Sequence, residues 1–89
     1  MKVEDKIFFE RNKTARKVFL KLDNDGTWAT PLSKELKLYR EAVSRAFREL
    51  KETGFIECTN PTSSNYKTYK LSKKGKMDFN EIKKLDSKS

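Results

Sequence analysis

The sequence predicts an α+β fold in the order helix, short strand, helix, helix, β-hairpin, helix. Three observations carry that expectation. Ala15, Val18, Phe19 and Leu22 recur at helical spacing and make one apolar stripe. A Thr30-Pro31 start then opens two amphipathic stretches with almost no linker between them, the second closed by Gly54. Finally, two β-prone runs, 55–59 and 66–71, flank a polar connection, Asn60-Pro61-Thr62-Ser63-Ser64-Asn65. With 89 residues the chain suffices for one domain and not two, expected over 1–85, with 86–89 a disordered tail.

The elements follow in order. The first helix ends near Leu22, where Asp23-Asn24-Asp25-Gly26 supplies turn chemistry. Ile7 and Phe8 can extend its stripe back to about Asp5, giving one long helix; alternatively Asn12 caps it and Ile7-Phe8-Phe9 is extended. The long helix is the expectation carried forward. Thr27-Trp28-Ala29 is a short β-prone stretch, and Trp28 is expected in the core. The second helix is expected from Pro31 to about Lys37 with Thr30 as its cap, burying Leu32 and Leu36. The third is expected from Tyr39 to Thr53. Its inner face is Val43, Ala46, Phe47 and Leu50; turning about 100° per residue, its outer face carries Glu41, Arg45, Arg48 and Glu52, with Ser44 beside them. The last helix is expected over 73–85, with Met77, Phe79, Ile82 and Leu85 as its apolar residues and Gly75 weakening its start.

Charge narrows the partners. Twenty-one Lys and Arg stand against 13 Asp and Glu, a net +8 and a pI near 9.7. Such a surplus attracts polyanions, either nucleic acid or an anionic membrane surface. Eight of the lysines fall in residues 66–89 against three acids there, and Lys70, Lys73, Lys74 and Lys76 cluster where hairpin and last helix meet. No apolar run approaches the ~20 residues of a membrane span, and the start of the chain lacks the apolar core of a signal peptide. With a single cysteine, Cys58, no intramolecular disulfide forms, which points to a reducing compartment. Cys58 itself reads as a packed strand residue, not a redox sensor. With no histidine, Cys/His zinc sites and His-based nucleophilic triads are excluded. No phosphate-binding Gly loop or pattern of clustered acids points to an enzyme, and no cofactor is implied.

The segment from Thr30 to Glu57 resembles the winged helix-turn-helix regulators, the MarR-like and related small archaeal families. The resemblance lies in the Leu-rich second helix, the run Val43-Ser44-Arg45, and the ending Leu50-Lys51-Glu52-Thr53-Gly54-Phe55-Ile56. Tyr69-Lys70-Leu71-Ser72-Lys73-Lys74-Gly75 is similar to the strand and turn that leave the wing in those families. It covers roughly residues 15–76. Lys37 departs from it where Gly is common, and Tyr39 where Ser or Thr caps the recognition helix, leaving a distorted turn open. The resemblance implies a three-helix core, a two- to three-stranded β-hairpin wing and a C-terminal helix. It also implies sequence-specific binding of double-stranded DNA by a cytoplasmic, nucleoid-associated transcriptional regulator, the third helix entering the major groove.

The candidate DNA-binding residues are Arg40, Glu41, Ser44, Arg45, Arg48, Asn65, Lys67 and Lys70. Arg45 and Arg48 can pair with guanine O6 and N7 or with phosphate, Ser44 with either, and Arg40 with the backbone. Glu41 repels phosphate unless it accepts from a cytosine amino group. The competing reading of this face is a solvated helix held by Glu41–Arg45 and Arg45–Glu49 pairs. Asn65 and Lys67 beside the wing tip are expected on phosphates or in the minor groove, against the reading of an ordinary solvated loop, and Lys70 on the backbone. Tyr39 either plugs the turn or touches a phosphate. Phe9, Leu20, Phe79 and Ile82 are surplus apolar residues on the terminal helices; they either form a homodimer interface or pack together within one chain. A protein–protein module and a nonspecific nucleic-acid or chromatin binder are the rival functions.

Overall fold

The computed structural model describes residues 1–22, 26–60 and 67–87. They form helices α1 (Val3–Arg11), α2 (Lys13–Leu20), α3 (Ala29–Leu36), α4 (Arg40–Glu52) and α5 (Lys73–Ser87), with strands β1 (Ile56–Cys58) and β2 (Tyr69–Leu71) between α4 and α5. The strands pair antiparallel, Ile56 opposite Leu71 and Cys58 opposite Tyr69. Thr27 joins the other edge of β2 through a single bridge to Tyr69. The β-prone stretch at 27–29 therefore contributes one paired residue. The described residues make a small α+β protein of five helices and a two-stranded antiparallel sheet.

The single long helix expected over 5–22 is instead two helices broken at Asn12. The Asn12 side chain donates to the Phe8 carbonyl at 2.9 Å, beside its own backbone N–H at 3.0 Å. Both bonds serve the end of α1, and the Asn12 side chain makes no cap hydrogen bond to α2. The alternative fails in its other half, because Ile7-Phe8-Phe9 is helical. The break redirects α1. On a continuous helix Phe9 and Val18 sit about 900° apart and face opposite ways. Broken, both are fully buried. Phe9 meets Phe19 and Phe55 with ring centroids at 5.3 and 4.9 Å, and Phe19 meets Phe79 at 5.6 Å.

The expected inner face of α4 is observed: Val43, Ala46, Phe47 and Leu50 are all buried, together with Leu32 of α3. Leu36 is only half-buried at the margin of that core. The α4 helix ends in a left-handed closure. The Gly54 N–H bonds to Lys51 O at 3.0 Å and the Phe55 N–H to Leu50 O at 3.0 Å, with Gly54 at φ +87°. That closure drops Phe55 into the core directly after the helix. The start of α3 corrects the expectation of a Thr30 cap: Trp28 holds the cap position with no side-chain hydrogen bond. The Thr30 carbonyl instead accepts the Ser33 hydroxyl. Trp28 is 42 % exposed, and Met77 on α5 is 73 % exposed. Neither is the core residue that hydrophobicity alone suggests.

α5 is anchored at both ends. At its start the Ser72 hydroxyl accepts the Gly75 N–H at 3.1 Å and donates to the Gly54 carbonyl at 2.6 Å. Gly75 is required here, not a weak point: it is buried, and a Cβ on it runs into the Phe55 carbonyl. At its end α5 continues to Ser87, two residues into the stretch expected to be a disordered tail. The reason is Asp86, which pairs with the buried Arg16 at 3.1 Å; Arg16 also donates to Phe9 O at 3.2 Å. Lys88 and Ser89 lie outside the described residues. A second ion pair, Lys74 with the buried Asp5 at 3.1 Å, ties α5 to α1.

Candidate nucleic-acid interface

The connection from α3 to α4 is three residues, Lys37-Leu38-Tyr39, and it sets the direction of α4. Lys37 takes φ +57°, ψ +44°, the left-handed conformation in which Gly is favoured. Its N–H bonds to Lys34 O at 3.4 Å and the Leu38 N–H to Ser33 O at 2.9 Å. The turn is therefore closed as a Gly would close it, and the lysine bears a backbone cost of about 1–2 kcal/mol. Leu38 packs against the core. Tyr39, 84 % exposed, does not plug the turn. It is extended, and its carbonyl accepts the N–H groups of Ala42 and Val43 to start α4.

From that start α4 buries one side and presents the other. Arg40, Glu41, Ser44, Arg45 and Arg48 together line an open depression of about 450 Å³ on its outer side. All five are exposed. These are the five α4 residues expected from the sequence. The pairs proposed to stitch this face are not formed: among the described residues no ion pair involves Arg40, Glu41, Arg45 or Arg48. Three guanidinium groups, one hydroxyl and one carboxylate thus meet solvent together. Chemically the set offers planar donors suited to phosphate and to base edges, one adaptable hydroxyl, and a single acceptor-only group.

The hairpin is held to α4 by rings. Phe47 stacks on Tyr69 with centroids 4.7 Å apart. Burial, and then the neighbouring Cys58, push the Tyr69 phenol above its usual range. Asn60 braces the base of the connection, its side-chain carbonyl accepting the Thr68 N–H at 2.8 Å and the Cys58 thiol at 3.6 Å.

The remaining expected residues separate. Lys67 is exposed beside the hairpin. Lys70 is half-buried and paired with Glu57 across the strands at 3.5 Å, while Asn65 lies outside the described residues. Lys74, one of the lysines that cluster where hairpin and last helix meet, pairs with Asp5, donates to Thr53 O at 3.1 Å and sits 4.5 Å from the Phe55 ring centroid. Phe9 and Ile82, expected at a dimer interface, are fully buried within the chain. Leu20 and Phe79 are half-buried against the same core. The break at Asn12 is the physical reason for Phe9: it turns inward the face that a continuous helix would leave outside. Sequence reasoning missed the structural pairs Arg16–Asp86 and Asp5–Lys74, because partners 69 or 70 positions apart leave no local pattern.

No three His, Cys, Asp or Glu side chains gather into a metal-holding group among the described residues, and none of their helices is long and apolar enough to cross a membrane. No family model, curated protein or solved structure matches the chain.

Proposed function

We propose that this chain is a winged helix-turn-helix domain that binds double-stranded DNA sequence-specifically as a cytoplasmic, nucleoid-associated transcriptional regulator. In this reading α4 enters the major groove and the hairpin around 55–71 lies along the backbone. One observation carries it: Arg40, Arg45 and Arg48 stand exposed around one depression and, among the described residues, form no ion pair. Arg16, by contrast, is buried and paired with Asp86. Exposed guanidinium groups on the helix that follows the Lys37 turn suit a polyanion with readable edges. Binding as a homodimer on a palindromic site belongs to the proposal, with Phe9 and Ile82 removed from any interface by their burial.

The test is selection from random duplex DNA with mass measurement of the complex, followed by a salt series. Phosphate contacts by the three arginines alone give a log–log slope of about −2.7. Arg45→Ala should cost on the order of 1–3 kcal/mol of discrimination, whereas Lys84→Ala should act weakly and alike on all sequences. Binding that is flat with salt, or equal small losses in both variants, overturns the reading. A protein–protein module is favoured by a different observation, the exposed aromatics Tyr39 and Trp28, since such residues anchor protein interfaces. Salt-insensitive capture of a protein, with no duplex enriched, would decide for it.

A further inference from the structure

We infer that Glu41 sets the base preference of α4, accepting from the amino group of a cytosine within about two base steps of a guanine read by Arg45. The inference rests on the DNA-binding reading above. It starts from a mismatch: an acceptor-only carboxylate lines the same depression as Arg40, Arg45 and Arg48, yet forms an ion pair with none of them. Its place in the first turn of α4 suits the helix dipole, but toward phosphate it is unfavourable, because a carboxylate cannot hydrogen-bond phosphate and repels it.

On a duplex that carboxylate has one fitting partner in the major groove. Guanine presents two acceptors and thymine an acceptor and a methyl; adenine sets its N7 acceptor beside its amino donor. Cytosine alone presents a donor with no acceptor of its own beside it. Geometry adds the spacing. Turning about 100° per residue, Glu41 lies about 40° from Arg45 around α4 and one turn toward its start. The axial offset is ~6 Å, close to two steps of ~3.4 Å along a strand. Both side chains therefore reach the same stretch of groove when the helix lies along it. Ser44, in the same depression, bonds to either kind of edge and adds no contradiction.

The experiment is selection from random duplex DNA with the whole chain, its E41Q variant and its E52Q variant. Glu41 is exposed and E41Q is isosteric, so the fold is kept, as far-UV circular dichroism will show. Glu52 is also exposed, at the far end of α4 and outside the depression, so E52Q makes the same charge change elsewhere. The unchanged chain should enrich sites with a fixed cytosine within two steps of a guanine. E41Q should lose that cytosine by on the order of tenfold in relative affinity, moving toward adenine, whose edge suits an amide. E52Q should keep it. If E41Q enriches the same sites as the unchanged chain, or if E41Q and E52Q shift alike, the inference falls while DNA binding stands. If the unchanged chain enriches no duplex, the DNA-binding reading falls and takes the inference with it.

Discussion

Replacing Gly75 by alanine sets two effects of opposite sign against each other. By propensity alone, Ala in place of Gly inside a helix stabilises by about 0.8–1 kcal/mol. At this position packing wins. A Cβ on Gly75 collides with the Phe55 carbonyl oxygen and comes within 3.2 Å of the Phe19 ring. Neither neighbour yields easily. The Phe55 carbonyl accepts the Ser72 N–H at 3.1 Å, and its ring is locked edge-on between Phe9 and Phe19. Overpacking of this kind costs about 1–3 kcal/mol, toward the upper end where backbone is struck. Shifting the start of α5 also strains the Ser72 cap, worth about 1 kcal/mol. The net loss comes to about 2–3 kcal/mol, or roughly 10–20 °C in Tm for a domain of this size. Thermal and urea unfolding followed by circular dichroism measure it directly. Gly54→Ala is the comparison: among the described residues its only close neighbour is the Lys74 side chain at 3.9 Å, so its cost is that of the left-handed backbone, about 1–2 kcal/mol. Gly75→Ala as stable as the unchanged chain would refute the close approach of α5 to Phe55.

Other outcomes follow from the same packing. Leu50→Ala and Phe47→Ala should each lower stability by about 2–5 kcal/mol, read from the urea midpoint; near-normal midpoints in both would mean the two faces of α4 are exchanged. Arg16→Ala should cost more than Asp86→Ala, on the order of 1–3 kcal/mol against under about 1. Arg16 is buried and also holds Phe9 O, while Asp86 is half-exposed; equal losses would count against that second bond. The Tyr69 phenol is raised first by burial and then by Cys58. Its contribution to stability is therefore complete below about pH 10 and lost as pH rises through the folded-state value. Tyr69→Phe should flatten the alkaline end of the stability–pH curve, and an unchanged curve would reject the assignment.

Legibility in the sequence followed period length and locality. The inner face of α4 was readable because its apolar residues keep helical spacing over 13 residues, and the outer face came with it. The strands were found by composition but are shorter than the β-prone runs, 56–58 and 69–71. Asn12 was ambiguous because its side chain can serve the helix before it or the one after. The choice it makes, Phe8 O, decides whether Phe9 faces in or out. Trp28 was misread because hydrophobicity does not fix burial at an element boundary. Gly75 was misread for a related reason: propensity sees only its own helix, and the constraint comes from Phe55, twenty positions away. Lys37 hides a left-handed position under a residue type that rarely takes one.

The electrostatic footprint is narrower than the net charge of +8 suggests. Arg16, Lys21, Lys70 and Lys74 are each bound to a carboxylate, and two of these, Lys70 and Lys74, lie where the hairpin meets α5. Their charges hold elements together and are already partly neutralised. The cluster of lysines where hairpin meets α5, the densest basic stretch in the sequence, is thus in part a fastening. Among the described residues, Arg40, Arg45 and Arg48 form no ion pair and are collected around one depression beside a carboxylate. Diffuse charge brings a polyanion close from any direction. Only a fixed arrangement of donors and acceptors distinguishes one stretch of it from another. In the proposed reading that arrangement is on α4, whose course is set by the Lys37 turn at one end and the Gly54 closure at the other.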